Sequence, residues 1–145
     1  MTTYPEHRLR RLRKNTAIRK LVRETSLSVN DFIYPIFVTH GEDVRDSIDS
    51  MPGINRLSID TVSSEVQKAY SLGVQAILLF GIPEKKDPLG SDSYNSTGII
   101  QLAIKSIREH TPDILIITDV CMCEYTDHGH CGLTENGLVD NDKTL

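Results

Sequence analysis

The chain has 145 residues, 39% of them hydrophobic, enough for one modest globular domain. Its formal net charge of −4 gives no global attraction to nucleic acid, and no run approaches the roughly 18 apolar residues of a membrane span. The charged N-terminus has no apolar core behind it, so no secretory signal is expected. Three clustered cysteines argue against a disulfide framework and fit a reducing, cytoplasmic setting.

Charge is unevenly spread. Residues 1–25 carry eight basic side chains against Glu6 and Glu24, a net +6, which leaves −10 for the remainder. Such an arm fits docking on an acidic neighbouring subunit. It has few aromatics and no nucleic-acid motif, so neither nucleic acid nor membrane is expected as a partner.

Residues 1–15 read as an extended arm, and 16–24 as a short helix capped by Asn15 or Thr16. Residues 1–25 thus form one unit and 26–145 the body. Residues 32–38 are apolar, β-branched and aromatic, the signature of a buried strand, although Pro35 removes a ladder donor. Residues 40–56 read as polar loop punctuated by Pro52-Gly53. Ser58 or Asp60 can cap a helix with Val62, Val66, Ala69 and Tyr70 on one face, stopped by Gly73. A second strand is predicted over 74–81. A polar loop with Lys85-Lys86 follows, then a helix from about Thr97 to before Pro112 with Ile100, Ala103, Ile104 and Ile107 on one face. A third strand is predicted over 114–120. Apolar strands alternating with amphipathic helices predict an α/β fold with a parallel sheet, whose chemistry gathers at the C-terminal strand ends.

The third strand leads into Asp119-Val120-Cys121-Met122-Cys123-Glu124-Tyr125-Thr126-Asp127-His128-Gly129-His130-Cys131-Gly132. A C-x-C-x7-C cluster of thiolates suits a soft metal such as zinc, and three protein ligands leave a position open for water or substrate. The competing reading is three buried structural thiols. His128 and His130 can be a fourth ligand, a supporting donor, a substrate contact or solvated loop residues. Asp119 can orient a ligand, contact substrate or cap the strand end. Lys85-Lys86 lacks a glycine-rich phosphate cradle, and no nucleophile elbow, H-E-x-x-H or dinucleotide fingerprint is present.

Several segments together resemble the porphobilinogen synthase (5-aminolevulinate dehydratase) family over essentially the whole chain. They are the basic run from Arg8 to Arg13, Leu21 to Thr25, Asp31 to Val38, Met51-Pro52-Gly53-Ile54, Phe80-Gly81-Ile82-Pro83, the cysteine loop 119–132, and Val139-Asp140-Asn141-Asp142. The resemblance implies a (β/α)8 TIM barrel, of which this sequence supplies the N-terminal arm and about three βα units. It implies a lyase that condenses two 5-aminolevulinate molecules into porphobilinogen with loss of two waters, in tetrapyrrole and haem synthesis. It also implies a homo-oligomer, usually an octamer, held by the arm. In zinc-dependent members three cysteines hold catalytic Zn2+, matching Cys121, Cys123 and Cys131, and Asp119 matches an active-site aspartate. Mg2+ would belong to a site outside this chain.

The family's two active-site lysines lie on strands further along the barrel. The lysines here are Lys14, Lys20, Lys68, Lys85, Lys86, Lys105 and Lys143, none in a predicted strand. The chain is therefore expected to be an N-terminal portion, inactive alone, with exposed sheet edges. The alternative is a non-catalytic zinc-binding truncated product.

Overall fold

Residues 10–145 are described by a computed structural model; the first nine residues of the expected arm lie outside the described residues. Along the chain lie α1 (Thr16–Leu21), β1 (Ile33–Thr39), β2 (Arg45–Ser47), β3 (Asn55–Leu57), α2 (Ile59–Ser71), β4 (Ala76–Ile82), α3 (Ile99–His110), β5 (Leu115–Thr118), β6 (Thr134–Glu135), β7 (Leu138–Val139) and α4 (Asn141–Thr144). Short 3-10 turns occupy Arg11–Arg13, Val29–Asp31 and Ser91–Tyr94.

The sheet order is β2-β3-β1-β4-β5. β1 and β4 pair in parallel over their full lengths, from Ile33↔Ala76 to Thr39↔Ile82, and β5 continues the parallel set on β4. Side chains alternate across the sheet. Ile36, Val38, Ile77 and Leu79 point to one face, where Val62 and Val66 of α2 and Ile99, Ala103 and Ile107 of α3 close over them to leave each at most 2% exposed. Both helices pack on this face and on each other, and the Ser63 and Ser106 hydroxyls, 2.8 Å apart, join them. The opposite face carries the stacked rings of Phe37 and Phe80, centroids 5.1 Å apart and only half-buried.

The three long strands and two long helices lie where the sequence places them, with differences at the ends and in one loop. The stretch 40–56, expected as loop, contains β2 and β3: β3 runs parallel to β1 at Phe37↔Arg56 and Val38↔Leu57, and β2 returns antiparallel. Because β3 meets only the second half of β1, Pro35 sits where β1 has β4 on one side and nothing paired on the other, so its missing donor is tolerated. α1 ends at Leu21 rather than residue 24; Leu21 is 86% exposed, and a single short turn without packing has little to extend it. Asn15 is its cap, accepting the Ile18 N–H at 2.9 Å.

At α2, Ser58 holds the cap position, but its hydroxyl accepts the Val44 N–H at 2.9 Å, while Asp60 accepts that of Asp43 at 2.9 Å. Hydrogen bonding to Asp60, from the Ser58 hydroxyl foremost and then from the Asp43 N–H, holds its carboxyl below the usual value. β5 stops at Thr118, two residues short of the expected end; the Asp119 N–H still reaches Leu79 O at 3.3 Å, but Val120 has left the sheet.

Candidate metal centre

The cysteine loop begins where β5 ends. Asp119 Oδ1 accepts the Cys121 N–H at 3.1 Å, so this aspartate caps the turn that presents the first cysteine. Met122 O then accepts the N–H groups of both Tyr125 and Thr126, at 2.9 and 3.0 Å, which coils the backbone around Cys123. Gly129 at φ +72° and Gly132 at φ +134° supply conformations that other residues rarely adopt, and Cys131 between them is brought back over Cys121.

The Sγ atoms of Cys121 and Cys131 are 2.8 Å apart, those of Cys131 and Cys123 are 3.5 Å apart, and the Met122 N–H donates to Cys131 Sγ at 3.3 Å. All three sulfurs lie within 4.8 Å of one another, the one such group of metal-ligating side chains among the described residues. They are half-buried or exposed, which removes the reading of three structural core thiols. Their hydrogen bonds distribute the protons unequally. Bonds to Cys123 and Cys131 push the Cys121 thiol up to about 12. The bond from Cys121, with help from the backbone N–H groups of Cys123 and Met122, draws Cys131 down to about 7. A proton therefore leaves Cys131 more readily than Cys121.

The donor set fits zinc. All three ligand atoms are soft sulfur, with no carboxylate in the group to favour a hard ion. Tetrahedral coordination with Zn–S near 2.3 Å sets an edge of about 3.8 Å between sulfurs, so the 2.8 Å Cys121–Cys131 pair must open by about 1 Å and the 3.5 Å Cys131–Cys123 pair by less.

The histidines stand apart from the three sulfurs. The His130 N–H donates to His128 Nδ1 at 3.2 Å, which puts the ring proton on Nε2, where it meets Pro88 O at 3.3 Å. The two rings stack with centroids 5.8 Å apart. His128 is thus a link between loops.

Two features at this end of the sheet escape sequence reasoning. The first is the loop after β4, which lies along the cysteine loop in a parallel bridge, Asp87↔Thr126. Partial desolvation pushes the Asp87 carboxyl up, but the N–H groups of Leu89 and Ser91 outweigh it and hold the group below its usual value. Asp87-Pro88 before Leu89-Gly90 was the available turn signal. The second is a cavity of about 350 Å³ at the C-terminal ends of β1 and β4, lined by Phe37, Phe80, Met51, Arg56, Lys86 and Glu124. Burial, and then the Asp119 charge, push the Glu124 carboxyl up to about 7. Lys86, placed by the sequence in a polar loop, lines this cavity.

Residues 6–145 match the family model described as delta-aminolevulinic acid dehydratase. The delta-aminolevulinic acid dehydratase of Halalkalibacterium halodurans is 50% identical over 143 residues, which cover 99% of this chain and 43% of that protein. That of Methanothermus sociabilis is 50% identical over 142 residues, 98% of this chain and 44% of its own length. A crystal structure of the delta-aminolevulinic acid dehydratase (porphobilinogen synthase) of Toxoplasma gondii, in complex with the reaction product porphobilinogen, is similar with a TM-score of 0.88. It is 39% identical, and the match covers 95% of this chain and 40% of that one. The chain spans less than half the length of these relatives. With the cysteine trio at the C-terminal edge of a parallel sheet, and this match over nearly all its length, the chain belongs to the delta-aminolevulinic acid dehydratase family.

Proposed function

We propose that this chain forms the metal-bearing part of a porphobilinogen synthase, a lyase that condenses two molecules of 5-aminolevulinate into porphobilinogen with loss of two waters. The observation that carries the reading is the three-sulfur group at the strand ends of a family member. Cys121, Cys123 and Cys131 would hold Zn2+. When bound, zinc lowers the pKa of its water and polarises a carbonyl or hydroxyl oxygen. Asp119 fixes the backbone of Cys121 and would contact substrate beside the metal. Tetrapyrrole synthesis is the process this chemistry serves.

The architecture is read as part of a (β/α)8 barrel. β1, β4 and β5 follow one another in chain order and both long helices lie on one face; a doubly wound sheet would need helices on both. The half-buried face with Phe37 and Phe80 would then look into the barrel. Residues 1–25 act as a basic arm that docks on a second copy of the protein in a homo-oligomer, and residues 26–145 as the start of the barrel. Mg2+, if used, belongs outside this chain.

A second reading, a non-catalytic zinc-binding product, is favoured by one observation. None of the seven lysines lies in a strand, where the covalent chemistry of this family would need one. Intact mass and porphobilinogen formation, measured together on protein from its natural source, decide between them. A mass well above 16.3 kDa with porphobilinogen made from 5-aminolevulinate supports the enzyme. A mass of 16.3 kDa with bound zinc and no product overturns it in favour of the second reading.

A further inference from the structure

The turn from Asp87 to Ser93 touches none of the three sulfurs, yet it anchors the cysteine loop along most of its length. The Asp87 carboxylate orders this turn: Oδ1 accepts the Leu89 N–H at 2.8 Å, and both oxygens accept the Ser91 N–H at 3.2 Å. The Asp87 backbone then pairs with the cysteine loop, its N–H donating to Tyr125 O and its carbonyl accepting the Asp127 N–H, each at 3.3 Å. The turn so ordered makes three further contacts. Pro88 O accepts from His128 Nε2, and His128 Nδ1 in turn accepts the N–H of His130, the residue before Cys131. Gly90, at φ +60°, packs so closely that a Cβ there would meet Met122 Cε at 2.7 Å. The Ser93 hydroxyl donates to Met122 Sδ at 3.5 Å, and Met122 lies between Cys121 and Cys123. Every segment between the ligands is therefore pinned from one side.

We infer that Asp87 is a positioning residue for the metal centre, setting the approach of the three thiolates through the turn it orders rather than by touching them. Preorganised ligands bind metal more tightly because less of the loop must be fixed on binding. The inference rests on the reading of the three cysteines as metal ligands, and it concerns affinity and coordination geometry.

Titration of the whole chain with Co2+, followed by its thiolate charge-transfer and d–d absorption, tests it. Asp87→Ala is expected to weaken Co2+ binding about 10- to 100-fold and to alter the d–d spectrum, as changes in supporting residues do at metal sites. Asp87→Asn keeps an oxygen that can accept the same N–H groups, so it should restore most of the affinity and the wild-type spectrum. Asp87→Ala binding as tightly as wild type, or Asp87→Asn binding as weakly as Asp87→Ala, overturns the inference alone. A wild-type chain that binds no Co2+ overturns the metal reading and this inference with it. A measurement on the unmutated chain covers the case in which Asp87→Ala does not fold. Coupling between turn and metal is reciprocal, so Zn2+ must slow hydrogen exchange at the Leu89 and Ser91 amides; unchanged exchange there overturns the role of Asp87.

Discussion

At the scale of single residues, the thiols were legible because their type and spacing are chemistry in themselves: C-x-C-x7-C needs no tertiary context to suggest a soft-metal site. Cys123→Ala is expected to abolish stoichiometric zinc, read by metal analysis of the purified chain; full zinc content would remove Cys123 from the ligand set. His128 was not legible, because what decides its role is a carbonyl forty residues away, at Pro88. Asp119 was readable only as a set of alternatives, of which its bond to the Cys121 N–H is the turn cap.

Asp60 supplies a pH prediction at the same scale. Its folded pKa lies below the ordinary carboxylate value. Its contribution is therefore fully present above the unfolded pKa and is lost as pH falls through the lower folded value, on the acid side of about 3.8. Asp60→Asn should flatten the fall in unfolding stability over that acid range, measured by denaturant titration at several pH values. An unchanged acid limb would mean that Asp60 makes no difference there.

At the scale of elements, the sequence announced what is long and continuous and hid what is short. β1 and β4 are seven residues each, their inward positions filled by Ile36, Val38, Ile77 and Leu79. β2 and β3 have three residues each, too few for a period-2 pattern to register against the Pro52-Gly53 turn between them. The β6–β7 hairpin carried a clear signal, Asn136-Gly137, both at positive φ as a tight two-residue turn requires. Its strands of two residues, Thr134-Glu135 and Leu138-Val139, are too short for an alternating pattern to flank that signal.

Packing of α3 against β4 and the cysteine loop converges on Gly81. A Cβ there would meet Ile100 Cγ1 at 2.7 Å, Ile99 Cγ2 at 2.9 Å and the Tyr125 hydroxyl. Gly81→Ala is expected to cost about 1–3 kcal/mol through overpacking. It should also lower zinc affinity, because Tyr125 must move with the loop. Chemical denaturation and zinc titration check the two parts, and wild-type values in both would show that the neighbours yield freely. The deeply buried Ile107 gives the complementary case: Ile107→Ala should cost about 2–5 kcal/mol in the same denaturation experiment.

At the scale of the whole molecule, one group of exposed apolar residues gathers at a single end of the sheet. Phe32 is 51% exposed, Ile33 52% and Leu115 58%, and all three lie at the N-terminal end of the sheet. β5 pairs only with β4, which leaves its outer edge open, as expected for a stretch resembling about three βα units of a barrel. The described part of the basic arm adds Leu12 and Leu21, both largely exposed beside Arg11, Arg13 and Lys20. Removing residues 1–15 should shift sedimentation toward smaller species; unchanged sedimentation would rule out assembly through the arm. Among the described residues no helix is long and apolar enough to cross a membrane.

The position of the three sulfurs along the chain has a consequence for biosynthesis. They fall within eleven consecutive residues, and the turn that pins them, 87–93, and the strands beneath them all come earlier in the sequence. Closing so short a chelate costs little chain entropy. If the three cysteines hold zinc as proposed, its capture would be a vectorial event, complete once Cys131 has cleared the ribosome, and the loaded loop would then be a fixed template for the folding that follows.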